Sequence, residues 1–164
     1  MEAHALDDGF PLDATRQVLR ASRALLGIVA RSMTDALDEV TLPQFRVLVV
    51  LAGSGPLRIG ALAARVGALP STFSRTIDRM VDGGWVERQQ SPTSRREVLI
   101  GLSTQGRTLV DRVSERRRKQ IASILSTLNP ADQTSVVEAF ELFSEAAGEP
   151  APDDLLTLAI DDRT

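Results

Sequence analysis

The chain has 164 residues, 43% of them hydrophobic, with 19 basic against 22 acidic side chains and a formal net charge of −3. That is enough for one well-formed core or a core with an extension. It contains no cysteine, which excludes disulfides, thiolate metal sites and thiol redox sensing. No apolar run approaches the roughly 18 residues of a membrane span, and no basic-then-apolar leader opens the chain, so the expected location is the cytoplasm, with no membrane partner.

The net charge conceals its distribution. Glu2, Asp7, Asp8 and Asp13 make the first stretch purely acidic, and residues 145–164 carry six acids against Arg163 alone, so the middle of the chain is basic. Residues 58–96 hold seven arginines against Asp78, Asp82 and Glu87. A local positive charge of this kind is what phosphate binding needs, whatever the total.

Residues 1–12 read as a poorly ordered acidic lead-in, where His4, the only histidine, is incidental rather than catalytic or metal-binding. From Asp13 to Asp38, Val18, Leu25, Leu26, Val29, Met33, Ala36 and Leu37 recur at the spacing of a long amphipathic helix, with Val40 just beyond. Arg16, Arg20, Arg23 and Arg31 lie elsewhere on its surface, as a solvated face or as partners for an acidic effector. Thr41-Leu42-Pro43-Gln44 has the form of a capping box and predicts a second helix carrying Phe45, Leu48, Val49 and Leu51, ended by Gly53-Ser54-Gly55-Pro56. Leu57 and Arg58 follow as a short strand.

Ile59, Leu62, Ala63 and Val66 predict a short helix ending at Gly67, and the next helix follows after only a few residues. Pro70 suits a first helical position and Gly83-Gly84 a left-handed end, so this helix runs from Pro70 to Asp82. Phe73, Ile77, Met80 and Val81 share its core side; Ser71, Thr72, Arg75, Asp78, Arg79 and Asp82 share the other. Hydroxyls and an arginine at a helix N-terminus can bond phosphates and base edges in a major groove, although amphipathicity alone is equally served by a plain solvated face. Trp85–Gln90 and Val98–Leu102 are strand-like, Ser91-Pro92-Thr93-Ser94 between them is turn chemistry, and Arg95 and Arg96 are expected at the hairpin tip. A basic hairpin beside a helix-turn-helix is a winged helix, whose arginines reach a minor groove or a phosphate.

Ser103 is a fitting cap for a long helix that uses Leu109, Val110, Val113, Ile121, Ile124, Leu125 and Leu128 along one side. Its cluster Arg116-Arg117-Arg118-Lys119 points around the whole helix, and Glu115 can pair with Lys119, so it reads as a solubilising or interfacial face rather than a nucleic-acid patch. Asn129-Pro130 begins a last helix with Val136, Val137, Phe140 and Phe143 on its core side, ended by Gly148. In the acidic tail, 148–164, Leu155, Leu156, Leu158 and Ile160 between aspartates suit either an extra piece packed on the dimer, the favoured reading, or a loose segment. The first helix and the last two carry more apolar stripe than a small winged helix can cover, which calls for a partner.

The run Ser71-Thr72-Phe73-Ser74-Arg75, then Asp78-Arg79-Met80, Gly84-Trp85-Val86-Glu87-Arg88, and Arg96 followed by Leu102-Ser103 and Gly106, resembles the MarR family of bacterial transcriptional regulators. Leu42-Pro43-Gln44-Phe45 and Leu62-Ala63 fit the same pattern, and the similarity covers about residues 14–147. Where the family's wing commonly has acidic residues, Ser91 and Ser94 stand here. The resemblance implies a mainly α fold with a small β-wing: a single domain over 13–147, with a winged helix at 41–102 and dimerisation helices at 13–40 and 103–147. It implies a homodimer whose two winged helices read a pseudo-palindromic double-stranded DNA operator, with half-sites about 34 Å apart. Ser71, Thr72, Ser74 and Arg75 are then the candidates for the major groove, Arg95 and Arg96 for the wing, and Arg79 for a phosphate or an internal pair with Asp78 or a neighbour. The family's effector, often an aromatic acid, sits between dimer helices and winged helix, where Arg20, Met33, Phe45 and Arg46 are the candidates. No cofactor or metal is expected.

Three functions compete on this reading. A dimeric regulator, usually a repressor, uses every feature above. A winged helix turned to protein contacts would not need the retained Ser71, Thr72, Arg75 and wing arginines. An enzyme would need a convergent nucleophile, base or metal site, and the chain has no cysteine or tyrosine and one histidine, in its tail.

Overall fold

A computed structural model describes residues 12–92 and 94–148, with the backbone alone at residues 12, 70, 71, 95 and 96. In chain order the elements are α1 (Leu12–Glu39), α2 (Leu42–Ser54), β1 (Leu57–Arg58), α3 (Ile59–Val66), α4 (Pro70–Asp82), β2 (Val86–Ser91), β3 (Ser94–Leu102), α5 (Thr104–Leu125) and α6 (Pro130–Ala147). The strands form one antiparallel sheet in the order β1-β3-β2. The expectations for residues 1–11 and for the tail from Glu149 onward lie outside the described residues.

Local chemistry sets the boundaries. Thr41 and Gln44 close a reciprocal capping box at the start of α2: the Gln44 N–H donates to Thr41 Oγ1 and the Thr41 N–H to Gln44 Oε1. Ser103 Oγ accepts from the Gly106 N–H to cap α5, and Asn129 Oδ1 accepts from the Asp132 N–H to cap α6. The core gathers where these elements meet, with Leu48 and Leu51 of α2, Leu62 of α3, Ile77 and Met80 of α4, Ile100 of β3 and Leu109 and Val110 of α5 buried together.

α1 and α5 lie antiparallel, joined by three rungs four residues apart on each helix. Glu39 pairs with Arg112, Asp35 with Arg116, and Arg31 Nε donates to Gln120 Oε1 at 3.4 Å. On the same seam Arg117 Nε donates to the buried hydroxyl of Ser32 at 3.4 Å, and burial lowers the Arg117 pKa from its ordinary value. The basic cluster is therefore a packing face first: Arg116 meets α1, while Arg118 and Lys119 both pair with Glu115 of their own helix.

Two expectations need correction. The stripe Val136, Val137, Phe140 and Phe143 does not face the core: α6 has no buried residue, and Val137, Phe140 and Phe143 are exposed. Amphipathic spacing states that a face seeks cover; it does not state that the cover is in the same chain. α1 behaves alike at its start, where every residue from 13 to 26 except Ser22 is exposed. Second, the hairpin is longer than expected. Ser91 and Ser94 pair with each other and close the turn between them, so Arg95 and Arg96 belong to β3 and not to the tip. The register then jumps from Ser91↔Ser94 to Gln90↔Val98, which leaves Arg95, Arg96 and Glu97 opposite a single step of β2 as a bulge.

Two predictions follow from this packing. A Cβ built on Gly106 would lie 2.2 Å from the Trp85 carbonyl oxygen, so Gly106→Ala is expected to cost about 1–3 kcal/mol of stability, as overpacking of rigid backbone does, measured by urea unfolding. The hydrogen bond from Arg116 lowers the Asp35 pKa below its ordinary value, against an opposing effect of desolvation and with further help from the charges of Arg116 and Arg112. A depressed carboxylate stabilises the fold at pH values above its unfolded pKa, and that contribution disappears as pH falls through the lower folded value. The Asp35 carboxyl resonance should therefore titrate below that of an ordinary aspartate, and Arg116→Gln should return it to the ordinary range.

Candidate nucleic-acid interface

α3 ends at Gly67, whose left-handed conformation (φ 65°) lets its N–H reach the carbonyls of Ala63 and Ala64. The Ala68 N–H bonds back to Ala63, and three residues after α3 the chain enters α4 at Pro70. This tight connection, with Phe73, Ile77 and Met80 of α4 buried in the core, fixes the opposite face of α4 outward. Thr72, Ser74, Arg75, Asp78, Arg79 and Asp82 are all exposed. The first turn of α4 has no acidic residue, so the positive end of the helix dipole is left for an external anion.

The ion pairs divide this face. Asp78 is held by Arg88 of β2, which ties the outward face of α4 to the wing. Arg58, the N-cap residue of α3, pairs with Glu97 in the β3 bulge at 2.7 Å and ties the wing to the helix-turn-helix from the other side. Arg75 and Arg79 have no carboxylate partner among the described residues. Of the two roles open to Arg79, the internal pair with Asp78 is thus taken by Arg88. Arg58 and Arg88 are the residues that sequence reasoning missed; both pairs join positions 39 and 10 residues apart, and neither has a local signature.

Ser71 lies in the first turn of α4 and Arg95 and Arg96 in the β3 bulge, with their side chains outside the described set. The backbone therefore brings Ser71, Thr72, Ser74 and Arg75 to the leading end of one helix and sets Arg95 and Arg96 on the neighbouring hairpin.

The four effector candidates do not come together in one chain. Met33 and Phe45 are buried in the shared core, Arg46 beside Phe45 is half-buried, and Arg20 is exposed. Arg20 stands 13 residues before Met33 on the same helix, about 20 Å away at 1.5 Å per residue. The family resemblance put Arg20 in the set, and helical rise separates it from Met33 within one chain. An open groove of about 420 Å³ runs instead beside α5, lined by Arg112, Glu115, Arg116, Lys119, Gln120 and Ser123. Among the described residues there is no cluster of metal-ligating side chains and no helix long and apolar enough to cross a membrane.

Comparison with known proteins gives a consistent result. The model of the MarR family matches residues 40–98. An uncharacterized HTH-type transcriptional regulator of Mycobacterium bovis is 32% identical over 130 residues, covering 79% of this chain and 87% of the relative. The crystal structure of Rv1404 from Mycobacterium tuberculosis superposes with a TM-score of 0.76 at 40% identity, over 90% of this chain and all of that one. A second Mycobacterium tuberculosis structure, the MarR family protein Rv2887 in complex with salicylic acid, gives a TM-score of 0.53 at 26% identity over 84% of this chain and 99% of that one.

Proposed function

Because the chain belongs to the MarR family, a family of DNA-binding transcriptional regulators and not of enzymes, we propose that it is a cytoplasmic repressor that binds a pseudo-palindromic operator as a homodimer and is released by a small aromatic or lipophilic effector. The observation that carries the DNA reading is the outward face of α4, which has hydroxyls near its N-terminus and, along its length, Arg75 and Arg79, two exposed arginines without a carboxylate partner among the described residues. In this reading Ser71, Thr72, Ser74 and Arg75 enter the major groove, with Arg75 on a guanine edge, where a bidentate guanidinium is the commonest specific contact. Arg79 takes a backbone phosphate, and Arg95 and Arg96 extend the footprint from the wing.

The dimer reading rests on α6. α6 is an 18-residue helix with no buried residue, so its apolar stripe seeks cover outside its own chain. The start of α1 has the complementary surface. It exposes Val18, Leu19, Leu25 and Leu26 beside Arg16, Arg20 and Arg23, whereas α6 exposes Val137, Phe140, Leu142 and Phe143 beside Glu138, Glu141 and Glu145. α1 of one copy on α6 of another covers both apolar stripes and pairs opposite charges, and two-fold symmetry repeats the contact. It also sets two α4 helices at a fixed separation for half-sites about 34 Å apart.

For the effector, the salicylic acid bound to Rv2887 supports an aromatic acid as the ligand class. Arg46, beside Phe45, and Arg117, half-buried and without a carboxylate partner among the described residues, are the cations suited to its carboxylate. Such a ligand acts by favouring a dimer geometry in which the two recognition helices no longer match the operator.

Fluorescence anisotropy on the gene's own upstream DNA against a scrambled duplex, at two salt concentrations, tests the DNA reading. Specific, salt-sensitive binding is expected. Arg75→Ala should cost about 1–3 kcal/mol and relax sequence preference, and Arg96→Ala should weaken all duplexes alike and lower the salt slope by about one. If neither substitution matters, the docking is wrong. Sedimentation velocity tests the dimer: the wild type should sediment as a dimer and the double variant Phe140→Asp, Phe143→Asp as a monomer, and an unaffected dimer would refute α6 as its interface.

A further inference from the structure

Leu69 immediately precedes Pro70 and is the N-cap residue of α4. That position favours Ser, Thr, Asp or Asn, whose side chains accept from the first free N–H groups. Leucine cannot, and Leu69 makes no side-chain cap bond. Its side chain does not pack inward either. At 73% exposure it is the most exposed large hydrophobic side chain among the described residues, ahead of Leu142 at 68%. A leucine here therefore serves neither the helix end nor the core.

Its surroundings narrow what covers it. Apart from Leu42 and Val98, the other exposed large hydrophobics belong to α1, α5 and α6. Leu69 stands away from those, next to the hydroxyls and Arg75 at the leading end of α4. Its backbone is held firmly: the Leu69 carbonyl accepts from the N–H groups of Thr72 and Phe73 and from Thr72 Oγ1. On the other side, Ala68 is bonded to Ala63, and Gly67 is set by its left-handed turn. The isobutyl group is thus presented outward from a fixed point, at the end of the helix that enters the groove.

Within a major groove the edges of three bases offer only hydrogen-bonding groups, whereas thymine also carries a 5-methyl group. We propose that Leu69 is a specificity-determining residue that packs against the 5-methyl of one thymine in each half-site. This rests on the reading of α4 as the DNA-contacting helix. It adds to the polar contacts of that helix an apolar one that discriminates thymine from cytosine and from uracil at the same position.

The test uses the full chain and an operator selected from a random duplex library. Each thymine of the selected site is replaced singly by deoxyuridine, which removes the methyl and leaves every hydrogen-bonding group in place. The wild type should lose about fourfold in affinity at one position per half-site, the equivalent of one buried methylene. Leu69→Ser should bind the thymine and uracil forms equally at that position. Because serine is the better N-cap, its thermal unfolding should match or exceed that of the wild type, so lost discrimination is not lost folding. A wild type indifferent to every replacement, a selected site with no sensitive thymine, or a Leu69→Ser variant that keeps the wild-type ratio overturns the proposal while specific binding still upholds the DNA reading. Selection that yields no preferred duplex overturns both.

Discussion

Where α4, the wing and α5 meet, the backbone of Gly106 lies against the carbonyl of Trp85 with no room for a side chain between them. Three hydrogen bonds surround the contact. Ser103 Oγ donates to the Gly84 carbonyl at 2.6 Å, the Ser103 N–H donates to the Trp85 carbonyl at 3.3 Å, and the Trp85 N–H donates to the Met80 carbonyl at 2.9 Å. The end of α4, the start of β2, the end of β3 and the start of α5 are thereby fixed in one joint. Gly84, at φ 74°, is the turn that lets α4 stop there. Remove this close approach and α4, the wing and the long helix behind them lose their common reference.

α5 is consequently the element shared by both halves of the molecule. Its foot is set in the joint, its middle is clasped to α1 by the pairs of Glu39 with Arg112 and Asp35 with Arg116, and its far end exposes Ile121 and Ile124. These ion pairs are partly solvated and individually weak. Their value lies in register: spaced four residues apart on each of two antiparallel helices, they fix how far α1 slides along α5. α1 is in this way connected to the joint that holds α4 through packed, hydrogen-bonded parts.

Much of this was legible in the residues, for reasons that can be named. The boundaries of α2, α3 and α4 were written locally, in the Thr41 and Gln44 box, the left-handed Gly67 and the Pro70 start, because caps act over three or four residues. The outward and inward faces of α4 were fixed by period alone. Longer-range features were not. The bulge that holds Arg95 and Arg96 in β3 is a matter of register between two strands, from Ser91↔Ser94 to Gln90↔Val98, which turn chemistry does not fix. The pairs Arg58 with Glu97 and Asp78 with Arg88 depend on elements brought together only by the fold. α6 showed the opposite failure, a correct helix with a correct stripe assigned to a core that its own chain does not provide.

The chain contains one tryptophan and no tyrosine, and that tryptophan is Trp85. Its indole is half-buried and rests over Gly83, where an added Cβ would lie 2.9 Å from Cδ1. The molecule therefore carries a single tryptophan fluorophore at the joint of α4, wing and α5. Its emission wavelength and quenching report that joint without any label, free of overlapping signal from the terminal helices. A change at this joint, as distinct from one at the helix ends, would have its own optical channel.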